Sequence, residues 1–289
     1  MIATRDRPGD LGATVARLRR LPERPPVVVV DNGSSGARAA ALLVELAATD
    51  GVEVVALGRN LGAAARTVGV RVIGSEYVAF ADDDSWWAPG ALSEAAALLD
   101  AQPRLALVAA RVLVGGELRE DPVNAAMAAS PLACRADLPG PRVLGFVACG
   151  AIVRRDAYLA VGGFHPRFGI GGEEEPLALE LAAGGWELAY VERLIAHHHP
   201  AADRERGARE RRQLRNALWC AWLHRPRRAL ATRTVALLRG APRGVAVRGL
   251  AGALRGLPWV LSERRVLPDA IERELRLLEA SARGARAGR

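Results

Sequence analysis

Val27, Val28, Val29 and Val30 run directly into Asp31. A continuous β-branched run with no polar alternation belongs to a strand covered on both faces, as central strands of a parallel sheet are. The turn cluster Asn32-Gly33-Ser34-Ser35-Gly36 follows, and residues 39–46 read as a helix. The order then repeats. Residues 52–57 read as a strand closed by Gly58-Arg59-Asn60, 61–73 as a helix and 77–81 as a strand. A helix opens at Pro89 with Leu92, Ala95, Ala96 and Leu99 on one face, and 105–113 is a further strand. This alternation predicts an α/β fold: a mostly parallel sheet flanked by helices. Ligands of such sheets gather beyond the carboxyl ends of the strands. Asp31, Asn60 and the residues after Ala81 are therefore expected at one crevice. The stretch Ile2-Ala3-Thr4 before Arg5-Asp6-Arg7-Pro8 reads as a stub of a first strand, and 115–141 as a loop.

The strand over 77–81 delivers Asp82, Asp83 and Asp84. Three adjacent carboxylates persist as anions only beside something cationic. Their hard oxygens suit Mg²⁺ or Mn²⁺, and Mg²⁺ is commonly held by one or two carboxylates plus substrate phosphates. A solvated acidic loop is the plainer alternative; the place at a strand end favours a site. Gly169, Gly171 and Gly172 precede Glu173-Glu174-Glu175-Pro176, a helix start. Either these are ordinary first-turn acids, or a glycine-hinged loop presents one carboxylate as a general base. Residues 186–191 form a strand, and Ile195-Ala196 leads into His197-His198-His199. Adjacent side chains on a strand face opposite ways, so one or two of these imidazoles are open to a metal.

Charge is unevenly placed. The chain has no lysine; from Pro200 onward there are 21 arginines against 8 acidic residues, and before it 19 against 24. The basic balance therefore belongs to the tail and points to a phosphate-bearing surface. Residues 203–289 show no strand pattern, and Pro226, Pro242, Pro258 and Pro268 divide them into short helices. Leu214, Ala217, Leu218, Ala221 and Trp222 form a packing stripe, and Ile271, Leu275 and Leu278 another. Arg248 and Arg255, among Leu250, Leu254, Leu257, Trp259 and Leu261, read as a basic amphipathic helix suited to an anionic membrane surface. A helical appendage packed on the domain is the alternative. No nucleic-acid recognition motif is present, so no nucleic-acid partner is expected. The expected division is a catalytic domain over 1–202 and an α-helical C-terminal appendage over 203–289. Cys134, Cys149 and Cys220 are scattered and odd in number, which argues for a reducing compartment rather than a disulfide framework. Neither a signal peptide nor an apolar stretch long enough to span a bilayer is read.

Val28-Val29-Val30-Asp31-Asn32-Gly33-Ser34-Ser35, Arg59-Asn60-Leu61-Gly62 and Glu76 through Asp82-Asp83-Asp84 stand in one order with four later pieces. These are Gly150-Ala151 with Arg154-Arg155, Gly162-Gly163-Phe164, Gly172-Glu173-Glu174 and His197-His198. Taken together they resemble glycosyltransferase family 2, inverting enzymes of the GT-A (Rossmann-like) fold. The resemblance implies that Asp31 holds the nucleobase of a nucleotide-sugar, aided by Thr4 and Arg5, with Asn60, Arg66 and Asp83 also at the nucleotide-sugar. Asp82 and Asp84 become the outer members of a DxD motif. Asp82 would meet ribose or metal, and Asp84 with His198 would bind Mn²⁺ or Mg²⁺. Glu174 becomes the general base. A membrane-proximal lipid-linked or cell-envelope glycan would offer the accepting hydroxyl, and the protein would be cytoplasmic, peripheral on the inner face of the plasma membrane. Glu174 stands where the family usually has Asp, Pro176 replaces a second acid, and Thr67 replaces Asn. Two other readings remain: a catalytically degenerate GT-A binding module, and a nucleotidyltransferase. The latter wants a glycine-rich phosphate loop near the first strand, and none is found.

Overall fold

The structure, a computed structural model, describes residues 1–133, 135–200 and 206–287. Cys134 and the expected boundary between residues 202 and 203 lie outside the described residues. The first half runs β1 (Ile2–Thr4), α1 (Pro8–Arg19), β2 (Val27–Asp31), α2 (Ala37–Ala47), β3 (Val52–Ala56), α3 (Ala64–Val72), β4 (Tyr77–Ala79), β5 (Ala81–Asp82), β6 (Ser85–Trp87), α4 (Ala91–Ala101) and β7 (Leu105–Val114). There follow β8 (Arg119–Glu120), α5 (Pro122–Ala128), β9 (Ala151–Arg154), α6 (Arg155–Ala160), α7 (Glu174–Ala183) and β10 (Glu187–His198). The tail is helical: α8 (Arg206–His224), α9 (Arg227–Arg239), α10 (Arg243–Arg255), α11 (Leu257–Ser262) and α12 (Asp269–Ala287).

Two sheets share the core. The first is wholly parallel, in the order β3-β2-β1-β5. Every residue of β2 is buried in it, as the valine run requires. The second, β4-β9-β7-β10-β6 with β8 paired to β7, is mixed; among the described residues only β7 and β10 run parallel in it. The single apolar run expected over 77–81 feeds both sheets. Its switch point is Phe80, whose N–H donates to Ala151 O (2.9 Å), while Ala81 N–H donates to Met1 O (2.9 Å). Phe80 is fully buried against the rings of Tyr158 and Phe164, so the crossing is fixed by packing. The stub strand β1 lies inside the first sheet and sets its register: Thr4 pairs with Asp31, and Ala3 with both Val30 and Asp82.

Three elements differ from the sequence reading. Residues 186–191 and 195–196 are one strand, β10, with a register shift between Val191 and Ile195 that pushes Glu192 and Arg193 outward. Helix α1 follows the stub and buries Leu11, Val15 and Leu18 at helical spacing. Within 115–141 the residues after Asp121 form α5, because the Asp121 carboxylate accepts from Val123 N–H (2.9 Å) and Pro122 opens the first turn.

The prolines punctuate the tail as expected: Pro226 and Pro242 cap α9 and α10, Pro258 sits in the first turn of α11, and Pro268 precedes α12. Leu214, Leu218 and Trp219 of α8, with Ile271 and Leu275 of α12, join the core that also contains Phe168, Leu177 and Leu181. Helix α10 approaches α8 through glycines; a Cβ on Gly249 would lie 2.8 Å from Leu214, and one on Gly256 2.6 Å from Trp219. Arg225 is buried between Glu272 (2.5 Å) and Glu279 (2.5 Å), which ties α12 to the end of α8. Trp259, expected at a membrane surface, instead faces inward. It stacks on His165 at 5.2 Å and meets Trp219 edge-on at 5.1 Å, because this aromatic cluster closes the seam between tail and sheet domain. Val247 (69 %), Leu254 (51 %) and Leu261 (62 %) are the large apolar residues of α10 and α11 that stay exposed. Among the described residues no helix is long and apolar enough to cross a membrane.

Candidate active site

The carboxyl ends of β1, β2 and β5 open into a cavity of about 1050 Å³. Thr4, Arg5, Asn60, Arg66, Asp82, Asp83, Glu174 and His198 all line it. Asp31 and Asp84 are not among the lining residues. The Asp31 carboxylate turns back to its own loop and accepts from Ser34 N–H (3.1 Å). Its neighbour Asn32 lines the cavity instead, donating to Gly62 O (3.0 Å) and accepting from Leu61 N–H (2.6 Å).

The three aspartates are held in three different ways. Asp82 pairs with the buried Arg66 guanidinium. Burial works against the Arg66 charge, but Asp82 and Glu173 outweigh it and hold the group firmly protonated. Asp83 accepts from Thr4 Oγ1 (2.9 Å) and from Arg7 (2.9 Å), while its backbone carbonyl accepts from Thr14 Oγ1 (2.9 Å). Burial nevertheless pushes its carboxyl up to about 6. Asp84 accepts from Arg7 at 2.7 Å and stands 3.4 Å from His198 Nε2. Burial alone would raise it too, yet the bonds to His198 and Arg7 bring it down to about 2. The cation that makes three adjacent anions tolerable is thus partly built in, as Arg7 and Arg66.

The strand pleat sorts the three histidines. His197 stacks on Trp86 at 5.5 Å and His199 meets the same ring at 4.6 Å, while His198 turns to the cavity. Ligand atoms of Asp82, Cys149 and His198 lie within 4.8 Å of one another, close enough to share one ion. An oxygen, a nitrogen and a sulfur donor together fit a divalent transition ion such as Mn²⁺ better than Mg²⁺, which favours oxygen throughout. Asp84 adjoins this group through His198.

The glycines before Glu173 shape a tight loop. Gly169, Gly171 and Gly172 have φ of 70°, 110° and 86°, a region closed to most side chains. Gly171 N–H donates to the Glu173 carboxylate, and Glu174 opens α7 at the cavity wall. For Glu174 the helix start favours the anion and burial opposes it. Burial dominates, the charge of Glu173 adds to it, and the carboxyl is pushed up to about 8. Thr67 supports the adjoining turn; its hydroxyl is 2.7 Å from Tyr158 Oη and accepts from Phe164 N–H (3.1 Å). The loop is clamped from the tail. Asn216, fully buried on α8, donates to Phe168 O (2.9 Å) and Gly171 O (2.7 Å), and Arg215 donates to Phe168 O (2.9 Å).

Arg7, Asn32, Cys149 and Asn216 are the site residues that sequence reasoning missed. Asn216 left a signal, a lone amide within the apolar stripe of α8. Cys149 left none, since its neighbours in space come from β5 and β10.

The sequence profile of glycosyl transferase family 2 matches residues 1–162. None of the curated proteins compared matches the chain. Similar solved structures include GalNAc-T7 with UDP, GalNAc and Mn²⁺, at TM-score 0.61 and 16 % identity, covering 78 % of this chain and 47 % of that one. Mannosyltransferase PcManGT from Pyrobaculum calidifontis, in complex with GDP-Man and Mn²⁺, has TM-score 0.60 and 18 % identity, covering 97 % and 73 %. S. aureus TarS 1-349 in complex with UDP has TM-score 0.56 and 13 % identity, covering 98 % and 90 %. This chain therefore spans about half the length of the GalNAc-T7 chain. At these identities the likeness is one of fold, the GT-A arrangement of a parallel sheet flanked by helices. With a family profile that covers more than half of its length, the chain belongs to glycosyl transferase family 2.

Proposed function

We propose that the protein is an inverting glycosyltransferase that moves a sugar from a nucleotide-sugar to the hydroxyl of a membrane-proximal lipid-linked or cell-envelope glycan. One observation carries this reading: Glu174, a carboxyl raised to about 8, shares a cavity with Asp82 and His198. A general base serves best when its pKa lies near the working pH. The nucleotide lies along the strand ends, between Thr4, Arg5, Asn60, Arg66 and Asp83, with Asp31 bracing the wall behind. Asp82 and His198, joined by Cys149 or Asp84, would hold a divalent ion, which when bound supplies charge neutralisation to the donor pyrophosphate.

The protein's own groups carry the proton. Glu174 takes it from the acceptor hydroxyl as that oxygen forms its bond to the anomeric carbon. The bond from that carbon to the pyrophosphate breaks, and its electron pair leaves on the phosphate oxygen. One displacement inverts the configuration. A single carboxyl does acid–base work, in contrast to the two required for glycoside hydrolysis. The exposed Val247, Leu254 and Leu261, near Arg248 and Arg255, support a peripheral position on an anionic inner membrane face.

The reading is tested by a thermal-shift screen of nucleotide-sugars with Mn²⁺ and with Mg²⁺, followed by donor turnover. A donor that binds the folded state raises Tm by mass action. Turnover in the wild type and none in Asp84→Ala supports the reading, and equal rates in both reject it. Donor binding without turnover in the wild type would favour a degenerate binding module instead.

A further inference from the structure

Eight arginines and four carboxylates line the cavity. The carboxylates of the donor wall are taken up by arginines beside them, since Arg66 meets Asp82 and Arg7 meets Asp83 and Asp84. The wall on α8 brings arginines and, among its described lining residues, no carboxylate. Arg209 and Arg212 on α8 are exposed, line the same cavity, and make no ion pair among the described residues. A nucleotide-sugar would not neutralise them, because its pyrophosphate and the accompanying divalent ion cancel one another's charge. The Arg215 guanidinium, held against Phe168 O, is pushed down by burial and then by the charge of Arg212, as expected where like charges lie side by side.

Position assigns these arginines to one substrate. Arg209, Arg212 and Asn216 fall at i, i+3 and i+7 on α8 and share a face. Asn216 grips the loop that presents Glu173 and Glu174. At 1.5 Å of rise per residue, Arg212 stands about 6 Å and Arg209 about 10 Å from Asn216 along the helix axis. That wall adjoins the base, where the accepting hydroxyl must lie, and is distinct from the strand ends that hold the nucleotide. Building on the transferase reading of the cavity, we propose that Arg209 and Arg212 form an anion site for the acceptor, and that the acceptor carries a phosphate group close to the hydroxyl it offers. Guanidinium forks match phosphate oxygens in pairs, which would fix the acceptor's orientation as well as its affinity.

The test is calorimetric titration of inorganic phosphate into full-length protein saturated with a nucleoside diphosphate and Mn²⁺, in wild type and in the Arg209→Gln/Arg212→Gln variant. Both positions are exposed, so the variant folds. The expected result is phosphate binding in the wild type that weakens about tenfold or more in the variant, with nucleotide affinity unchanged. Equal phosphate affinity in both proteins overturns the proposal. So does a matching loss of nucleotide affinity, which would give the arginines to the donor pyrophosphate. If no nucleoside diphosphate binds, the transferase reading fails by itself, and the same phosphate titration without nucleotide still decides the anion site. The source of the phosphate follows from two further arms. Loss of binding to phosphatidylcholine vesicles containing phosphatidic acid, in the variant alone, assigns a lipid headgroup. Unchanged vesicle binding with lost glycerol phosphate binding assigns a soluble phosphate.

Discussion

The two walls of the cavity use the same side chain in opposite ways. On the strand-end wall the aspartates hold arginines: Arg66 pairs with Asp82, and Arg7 with Asp83, Asp84 and Asp10. On the α8 wall Arg209 and Arg212 face the cavity with no ion pair among the described residues. Matched pairs beside a low-dielectric wall are already organised before ligand arrives, and they fix geometry. Unmatched guanidiniums are held in water and gain their partner only on binding. On the proposed reading, the first wall positions the donor and the second recruits the acceptor. Glu174 lies between them, and Asn216 joins them.

The largest expected effect is at that junction. Glu174→Gln keeps the shape and removes the proposed base, and should lower kcat by roughly 10²–10⁴-fold, the usual worth of a positioned base. Donor affinity, assigned by the proposal to the strand-end wall, should hold. The pH profile gives an independent reading. Activity of the wild type should rise with pH along an acid limb centred near 8, an apparent value that belongs to the Glu173–Glu174 pair. The stability sign is the reverse. A carboxyl raised from 4.5 to about 8 binds its proton more tightly in the folded state, so its unfavourable contribution grows as pH climbs through that window. Glu174→Gln should flatten that slope in a series of urea melts. An acid limb near the ordinary carboxylate range would reject Glu174 as a desolvated base.

How far these walls were legible in the sequence divides along the same line. The strand-end wall was legible because its residues directly follow apolar runs: Val30 into Asp31, Ala81 into Asp82. Even there, the chain could not show that Phe80 carries the strand from one sheet to another, since apolar periodicity has no direction. Nor could it show that Asp31 turns to Ser34 while Asn32 faces the cavity. On the α8 wall the stripe of Leu214 and Leu218 announced a buried face, but what it is buried against is a tertiary fact. Trp259 is the sharpest case. A tryptophan among arginines and leucines fits a membrane interface by composition, and only the ring of His165 at 5.2 Å shows that its face is taken. Cys149 becomes visible only when β5 and β10 bring Asp82 and His198 beside it.

Joining the two walls is the task of one amide. Asn216→Ala would leave Phe168 O short of one donor and Gly171 O without it, each a cost of about 1–3 kcal/mol where no water replaces the bond. The loop holding Glu173 and Glu174 should then loosen. The expected outcome is a fall in kcat of roughly 10- to 100-fold, with the dissociation constant of the nucleotide unchanged and the acid limb moved toward lower pH as Glu174 gains water. Asn216→Gln, which retains the donor on a longer stem, should recover part of the rate. A variant that loses nucleotide binding and kcat together would mean that Asn216 supports the fold in general.

The smallest effect is expected farthest from the cavity, on the outer face of the tail. Val247 and Leu254 lie seven residues apart on α10, and that spacing returns a helix to nearly the same side. Both are more than half exposed, so Val247→Ser with Leu254→Ser removes little buried apolar surface. Stability in a urea melt should change by no more than about 0.5 kcal/mol, and turnover of a soluble acceptor should be unaltered. Sedimentation with vesicles rich in anionic lipid should nevertheless decrease, because these are the apolar groups that remain outward once Trp259 is committed to the seam. Undiminished vesicle binding would move the lipid contact off α10. Combined with loss in the Arg209→Gln/Arg212→Gln variant, it would place the headgroup at the mouth of the cavity, so that the recruiting wall would itself be the docking wall.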